Sequence, residues 1–93
     1  MELRGLLEEA LAAAHIEAKT AWDNGAVQNE MDKAQELIRH AQWRWDWVAA
    51  ANGVGFHSPD EALRVLATGI HKAEQARKEL ALVLVKNGVR LPD

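Results

Sequence analysis

The residues with most scope for chemistry are His57 and its neighbours. His57 precedes Ser58-Pro59-Asp60-Glu61 and follows a connector holding Gly53 and Gly55. Ser58 reads as a helix N-cap, Pro59 as N1 and Glu61 as the N3 member of a capping box. A helix N-terminus is electropositive, which favours the neutral, ligand-competent imidazole. Glycines beside it would let a flat cofactor approach the backbone. The same residues also suit a plain turn, with His57 filling the position before the cap. Spacing alone leaves both readings open. His15, His40 and His71 fall one to a helix, with no converging ligand set, so they predict no metal site. Glu36 and His40, four apart, suit a surface pair. Nucleophilic catalysis has no support, because there is no Cys and Ser58, the sole Ser, is needed as a cap. Gly53 and Gly55 do not make a phosphate loop.

The run Arg39-His40-Ala41-Gln42-Trp43-Arg44-Trp45-Asp46-Trp47 is the second conspicuous feature. A helix turns about 100° per residue, so Trp at three alternate positions cannot share one narrow face. Trp45 fits the core stripe, whereas Trp43 and Trp47 flank it and are expected at an interface. Arg44 is expected to meet Asp46, a Glu or a cofactor carboxylate, or to remain a solvated charge.

Three helices must position these residues, because Ala, Leu, Glu and Lys are strong helix formers. The first is expected over residues 3–23, with the stripe Leu3, Leu7, Ala10, Leu11, Ala14, Ala18, Ala21 and Trp22. Asn24-Gly25 ends it. The second is expected over 29–51, starting at Asn29 or Gln28, with Met31, Ala34, Leu37, Ile38, Ala41, Trp45 and Val48 inward. The third is expected over 58–87, with Ala62, Leu63, Leu66, Ile70, Ala73, Arg77, Leu80 and Leu84 inward, and Asn87-Gly88 ends it. Residues 80–85 are apolar almost all round, so Leu80 and Leu84 are also candidates for a partner interface. Short connectors imply antiparallel neighbours, hence one all-α domain over residues 1–93, an up-down-up three-helix bundle.

Composition narrows the class. The 93 residues are 48% hydrophobic and 27% charged, as in a folded domain. A net charge of −3 disfavours a nucleic-acid partner. No apolar run approaches the roughly 20 residues of a membrane span, and the N-terminus lacks a signal-peptide pattern. The lack of Cys excludes disulfides, thiolate metal sites and a C-x-x-C-H attachment motif.

Three segments carry a family resemblance: Ala14-His15-Ile16-Glu17-Ala18-Lys19-Thr20-Ala21-Trp22-Asp23, Arg39-His40-Ala41-Gln42-Trp43-Arg44-Trp45-Asp46, and His57-Ser58-Pro59-Asp60-Glu61-Ala62-Leu63-Arg64-Val65-Leu66. Together they resemble the C-terminal helical region of ammonia-forming cytochrome c nitrite reductase, to about Gly88. The resemblance implies a periplasmic pentahaem parent that reduces nitrite to ammonium. It implies a homodimer joined through long helices; for the chain folding alone, dimerisation is expected through the third helix and part of the first. His57 matches a distal axial ligand to an electron-transfer haem c. Two imidazole ligands leave iron no open position, which suits electron transfer.

The departures are specific. The chain has no C-x-x-C-H or C-x-x-C-K motif, no segment matching the family's substrate-binding Arg, Tyr and His, and no calcium site. Asp60-Glu61 stands where the family often has Glu-Glu, and the chain stops soon after the third helix, where many members continue. The implied reading is an enzymatically inactive tail, packed against the rest of a multihaem enzyme. The alternative is a free-standing, haem-free oligomerisation module using Trp43, Trp47 and the 80–85 segment. Non-covalent haem binding through His57 is a weaker third reading, since no second ligand faces it.

Overall fold

Apolar residues recurring at helical spacing give three amphipathic helices that bury their stripes on one another. The computed structural model describes residues 3–52 and 58–90. Its elements are α1 (Leu3–Asp23), α2 (Gln28–Asn52) and α3 (Pro59–Lys86), with no strand among the described residues. These bounds fall within a residue of those the sequence predicts. Glu8 meets Trp45, Lys33 meets Glu79 and Glu17 meets Arg77. Those pairs set α2 antiparallel to both neighbours and α3 parallel to α1, the up-down-up bundle. Long helices make it elongated: its extents are 46 × 27 × 16 Å and its radius of gyration is 14.6 Å. A compact chain of this length would have about 12 Å.

The helix ends follow local chemistry. α1 and α3 both stop at Asn-Gly in the same Schellman arrangement. Gly25 (φ +96°) donates to Trp22 O at 3.2 Å and Ala26 N donates to Ala21 O at 3.0 Å. Gly88 (φ +83°) donates to Val85 O at 3.0 Å and Val89 N donates to Leu84 O at 2.9 Å. The left-handed backbone explains glycine at both positions. At the start of α3, the Ser58 hydroxyl accepts from Glu61 N at 3.2 Å, as the capping signal predicts.

The start of α2 is capped by a different device. The helix begins at Gln28, after Val27, and Glu30 supplies the cap by accepting from Val27 N at 3.0 Å. This is the returning half of a capping box without the usual hydroxyl at the cap. Glu30 also accepts from Lys86 Nζ at 3.1 Å and Asn87 Nδ2 at 3.5 Å. One carboxylate therefore starts α2 and ties it to the end of α3. Its pKa lies below the usual carboxylate value, first because of the Val27 N–H and then because of Lys86.

The core is Leu7, Leu11, Ala14, Met31, Ala34, Ile38, Ala41, Val48, Leu66, Ala73, Ala76, Leu80, Val83 and Leu84, with Ala21 and Ala26. Small residues let the helices approach closely. At Gly69 a Cβ would stand 3.0 Å from Leu7 Cδ2 and 3.4 Å from Arg44 Cβ, so all three helices converge there. Three inward expectations are corrected. Leu63 and Trp22 are exposed, because their positions lie at the margins of the apolar stripes. Arg77, the polar member of the α3 stripe, is exposed as well and pairs at the surface. Its Nε and Nη2 donate to the two Glu17 carboxylate oxygens, each at 2.9 Å. That fork holds α3 to α1 and raises the guanidinium pKa further.

Candidate interface: the tryptophan segment and the groove beside it

α2 divides its tryptophans unevenly. Trp45 and Trp47 are half-buried and pack against the core, whereas Trp43 is 60% exposed. The division expected from the helical wheel set Trp43 and Trp47 together, apart from Trp45. Packing against α1 and α3 instead recruits Trp47 to the core and leaves Trp43 outside.

Trp45 faces α1. Its indole N–H donates to Glu8 Oε1 at 3.1 Å, and the Arg4 guanidinium lies 5.8 Å from its ring centroid. Arg4 and Glu8 in turn approach to 4.0 Å. The amphipathic ring thus buries its body and satisfies its one polar atom at the rim. Among the described residues Arg44 pairs with neither Asp46 nor a Glu. It donates to His40 O at 2.9 Å and lies 5.7 Å from the Trp43 ring centroid. Asp46 accepts instead from Gln42 Nε2 at 3.1 Å. The exposed Trp43 face therefore carries a stacked cation.

α1 and α2 touch each other less than either touches α3. The space between them is a surface groove. One section, of about 410 Å³, is lined by His15, Ala18, Lys19, Trp22, Ile38 and Arg39, with Gln35. A second section, of about 220 Å³, is lined by Glu8, Leu11, Ala12, His15, Gln42 and Trp45. His15 borders both, and a tryptophan stands at each end. Sequence reading missed this groove. The signal was present in the many small residues of α1, but small residues alone do not say which helix pair stays apart.

At the third-helix end, Leu80 and Leu84 were expected at an interface, and the bundle itself buries both. The apolar side chains this end leaves outside are Leu82 and Val85, 67% and 57% exposed. An all-round apolar segment places one face in the core and shows the other.

The histidines do not gather. His15, His40 and His71 are exposed, one on each helix, and His40 Nε2 lies 3.8 Å from Glu36 as a surface pair. No group of three or more His, Cys, Asp or Glu converges among the described residues. His57, with Gly53 and Gly55, lies outside the described residues. No described helix is long and apolar enough to cross a membrane.

Over residues 1–93 the sequence matches the family described as Cytochrome c552. A protein named Cytochrome c-552 from Haemophilus influenzae is 50% identical over 91 residues, covering 98% of this chain and 17% of its own length. Its namesake in Bacteroides fragilis is 51% identical over 96 residues, covering 99% and 20%. That of Porphyromonas gingivalis is 48% identical over 96 residues, covering 99% and 19%. The chain thus spans about a fifth of the length of the curated relatives it matches.

Proposed function

The chain belongs to the cytochrome c552 family, and from that membership we propose that it is the C-terminal helical portion of a multihaem cytochrome c nitrite reductase. The observation carrying this reading is one of lengths. Relatives about half identical to the chain are roughly five times longer, and this fifth holds no cysteine. Thioether attachment of haem c needs cysteines, so haem attachment and nitrite chemistry belong to the rest of the longer polypeptide.

The described residues do not fit a haem. They hold no cysteine, and their histidines are exposed and dispersed. The contribution proposed for this chain is a single axial imidazole, His57, assigned from the family resemblance of its His-Ser-Pro-Asp-Glu segment. The Ser58 cap and the Pro59 N1 position, which belong to that segment, fix the start of α3. A neutral imidazole there would complete a six-coordinate, electron-transferring iron. The long helices would form part of a homodimer interface, in a periplasmic parent.

The exposed Trp43, Leu82 and Val85 favour a second reading, a haem-free oligomerisation module. A denaturing gel of source-cell extract separates the two. It is stained for haem and probed with an antibody against the Arg39–Asp46 segment. The expected result is a haem-positive band several times larger than 10.3 kDa. A haem-free band near 10.3 kDa overturns the nitrite reductase reading and leaves the module. For the ligand assignment, His57→Met in the longer protein is expected to raise the reduction potential of one haem, since thioether ligation favours ferrous iron. Unchanged potentials and Soret spectra would remove His57 as a ligand.

A further inference from the structure

The Asn-Gly pairs that end α1 and α3 carry a reactivity of their own. Asparagine is thermolabile, and most so before glycine. A glycine nitrogen has no side chain beside it to shield attack on the Cγ of the preceding asparagine. The left-handed turns require glycine at positions 25 and 88. The residue that stops each helix therefore leaves its neighbour open to cyclisation. Asn24, Gly25 and Gly88 are exposed and Asn87 is half-buried, so water reaches both turns. Asn52 also precedes a glycine, Gly53, which lies outside the described residues.

The two turns share one end of the bundle, where a Cβ on Gly25 would lie 4.0 Å from Asn87 Oδ1. In both, the groups that would react are engaged. Asn24 Nδ2 donates to Thr20 O at 2.8 Å, and Gly25 N to Trp22 O at 3.2 Å. Asn87 Nδ2 donates to Val83 O at 2.9 Å and to Glu30 Oε1 at 3.5 Å. With Asn87 ψ at 16°, Gly88 N points at Val85 O, 3.0 Å away, and not at the Asn87 side chain. Ring closure needs rotation about that Cα–C bond, which breaks the Schellman turn. Reaction therefore waits on local opening of this end. Glu30 opposes the opening, since it caps α2 and holds Lys86 and Asn87.

We propose that Asn24 and Asn87 are sites of spontaneous conversion to isoaspartate, gated by the Glu30 tie. On opening, the glycine nitrogen loses its proton to solvent base and attacks the asparagine Cγ. The N–Cγ bond forms, the Cγ–Nδ2 bond breaks, and Nδ2 leaves as ammonia. Water then opens the cyclic imide, and no electrons are exchanged. Opening at the main-chain carbonyl gives isoaspartate, with one more carbon in the backbone. The amides that follow then no longer reach their Schellman carbonyls. The new carboxylate also stands at a helix C-terminus, where negative charge is unfavourable. At position 87 it faces Glu30, so conversion loosens the tie that slowed it.

The test incubates the protein, as its source cells make it, in mildly alkaline buffer, both native and in urea. Isoaspartate is mapped by mass spectrometry of its peptides. It is expected to accumulate at positions 24 and 87 of the native protein, more slowly than in urea. Asn29, which glutamate follows, is expected to stay unchanged. Glu30→Ala should speed position 87 about fivefold, the worth of an ordinary hydrogen bond. Should that variant lose its helical circular dichroism, Glu30→Gln, which keeps an acceptor for Val27 N–H, replaces it, with a smaller acceleration expected. Absence of isoaspartate at either native position overturns the assignment of that position. Equal rates in native protein and urea overturn the gate. A rate at position 87 unchanged in a folded Glu30 variant removes Glu30 from it.

Discussion

Glu30 shows how one side chain can carry several tasks. It caps α2 through Val27 N–H and receives Lys86 and Asn87 from the far end of α3, while its side chain is only 14% exposed. Its depressed pKa makes this a pH-dependent tie. A carboxylate whose folded pKa lies below the unfolded value of about 4.3 contributes stability above that value. The contribution is lost as pH falls through the folded pKa. Glu30→Gln is therefore expected to lower the melting temperature at pH 7, with the difference from the parent chain shrinking as pH falls from the unfolded value through the lower folded one. A difference unchanged between pH 7 and pH 3 would show that the carboxylate charge is not the source. Arg77 and Glu17 tie α3 to α1 through fork geometry, two hydrogen bonds of 2.9 Å each.

At the scale of elements, Gly69 decides how closely the helices meet. It is buried in the middle of α3, where glycine costs about 1 kcal/mol relative to alanine in helix propensity. Packing explains its presence, because Leu7 and Arg44 occupy the space a side chain would need. Alanine would gain propensity and lose packing, so its net effect is small. Leucine has no such balance: Gly69→Leu is expected to destabilise by about 1–3 kcal/mol through overpacking, measured by urea unfolding. A variant as stable as the parent would mean that α3 can move away from α1 and α2 without loss. The two Asn-Gly ends obey a simpler rule, which is why the helix bounds were legible from local residues. Ser58 was legible for the same reason. The start of α2 was legible to within a residue, but its cap was not, because Val27 carries no cap signal and Glu30 reaches back from inside the helix.

At the scale of the whole molecule, two surfaces stand out among the described residues. One is the α1–α2 groove. The other is the outer face of α3 around Leu82 and Val85, which suits the proposed homodimer contact. Replacing both by Glu is expected to shift a dimer toward monomer in sedimentation, while helical circular dichroism is retained, since neither side chain is in the core. An unchanged sedimentation coefficient would move the dimer contact to another face. The elongated shape gives both surfaces a long, shallow form rather than an enclosed pocket, which fits docking of helices better than capture of a small substrate.

The sequence by itself determined the three helices, their order and most of the core. It also determined the absence of covalent haem chemistry in this fifth of a longer family. Those properties follow from local spacing, capping residues and composition, which need no partner to be read. Tertiary structure decided which tryptophan faces out, that Leu80 and Leu84 are core and Leu82 and Val85 surface, and that α1 and α2 stand apart. It also paired Arg77 with Glu17 across 60 positions and brought Lys86 to Glu30. A helical period tells which residues share a face. It does not tell how far the helix is rotated against two neighbours at once, and that rotation, set by where small residues such as Gly69 permit contact, fixed the surface left for others.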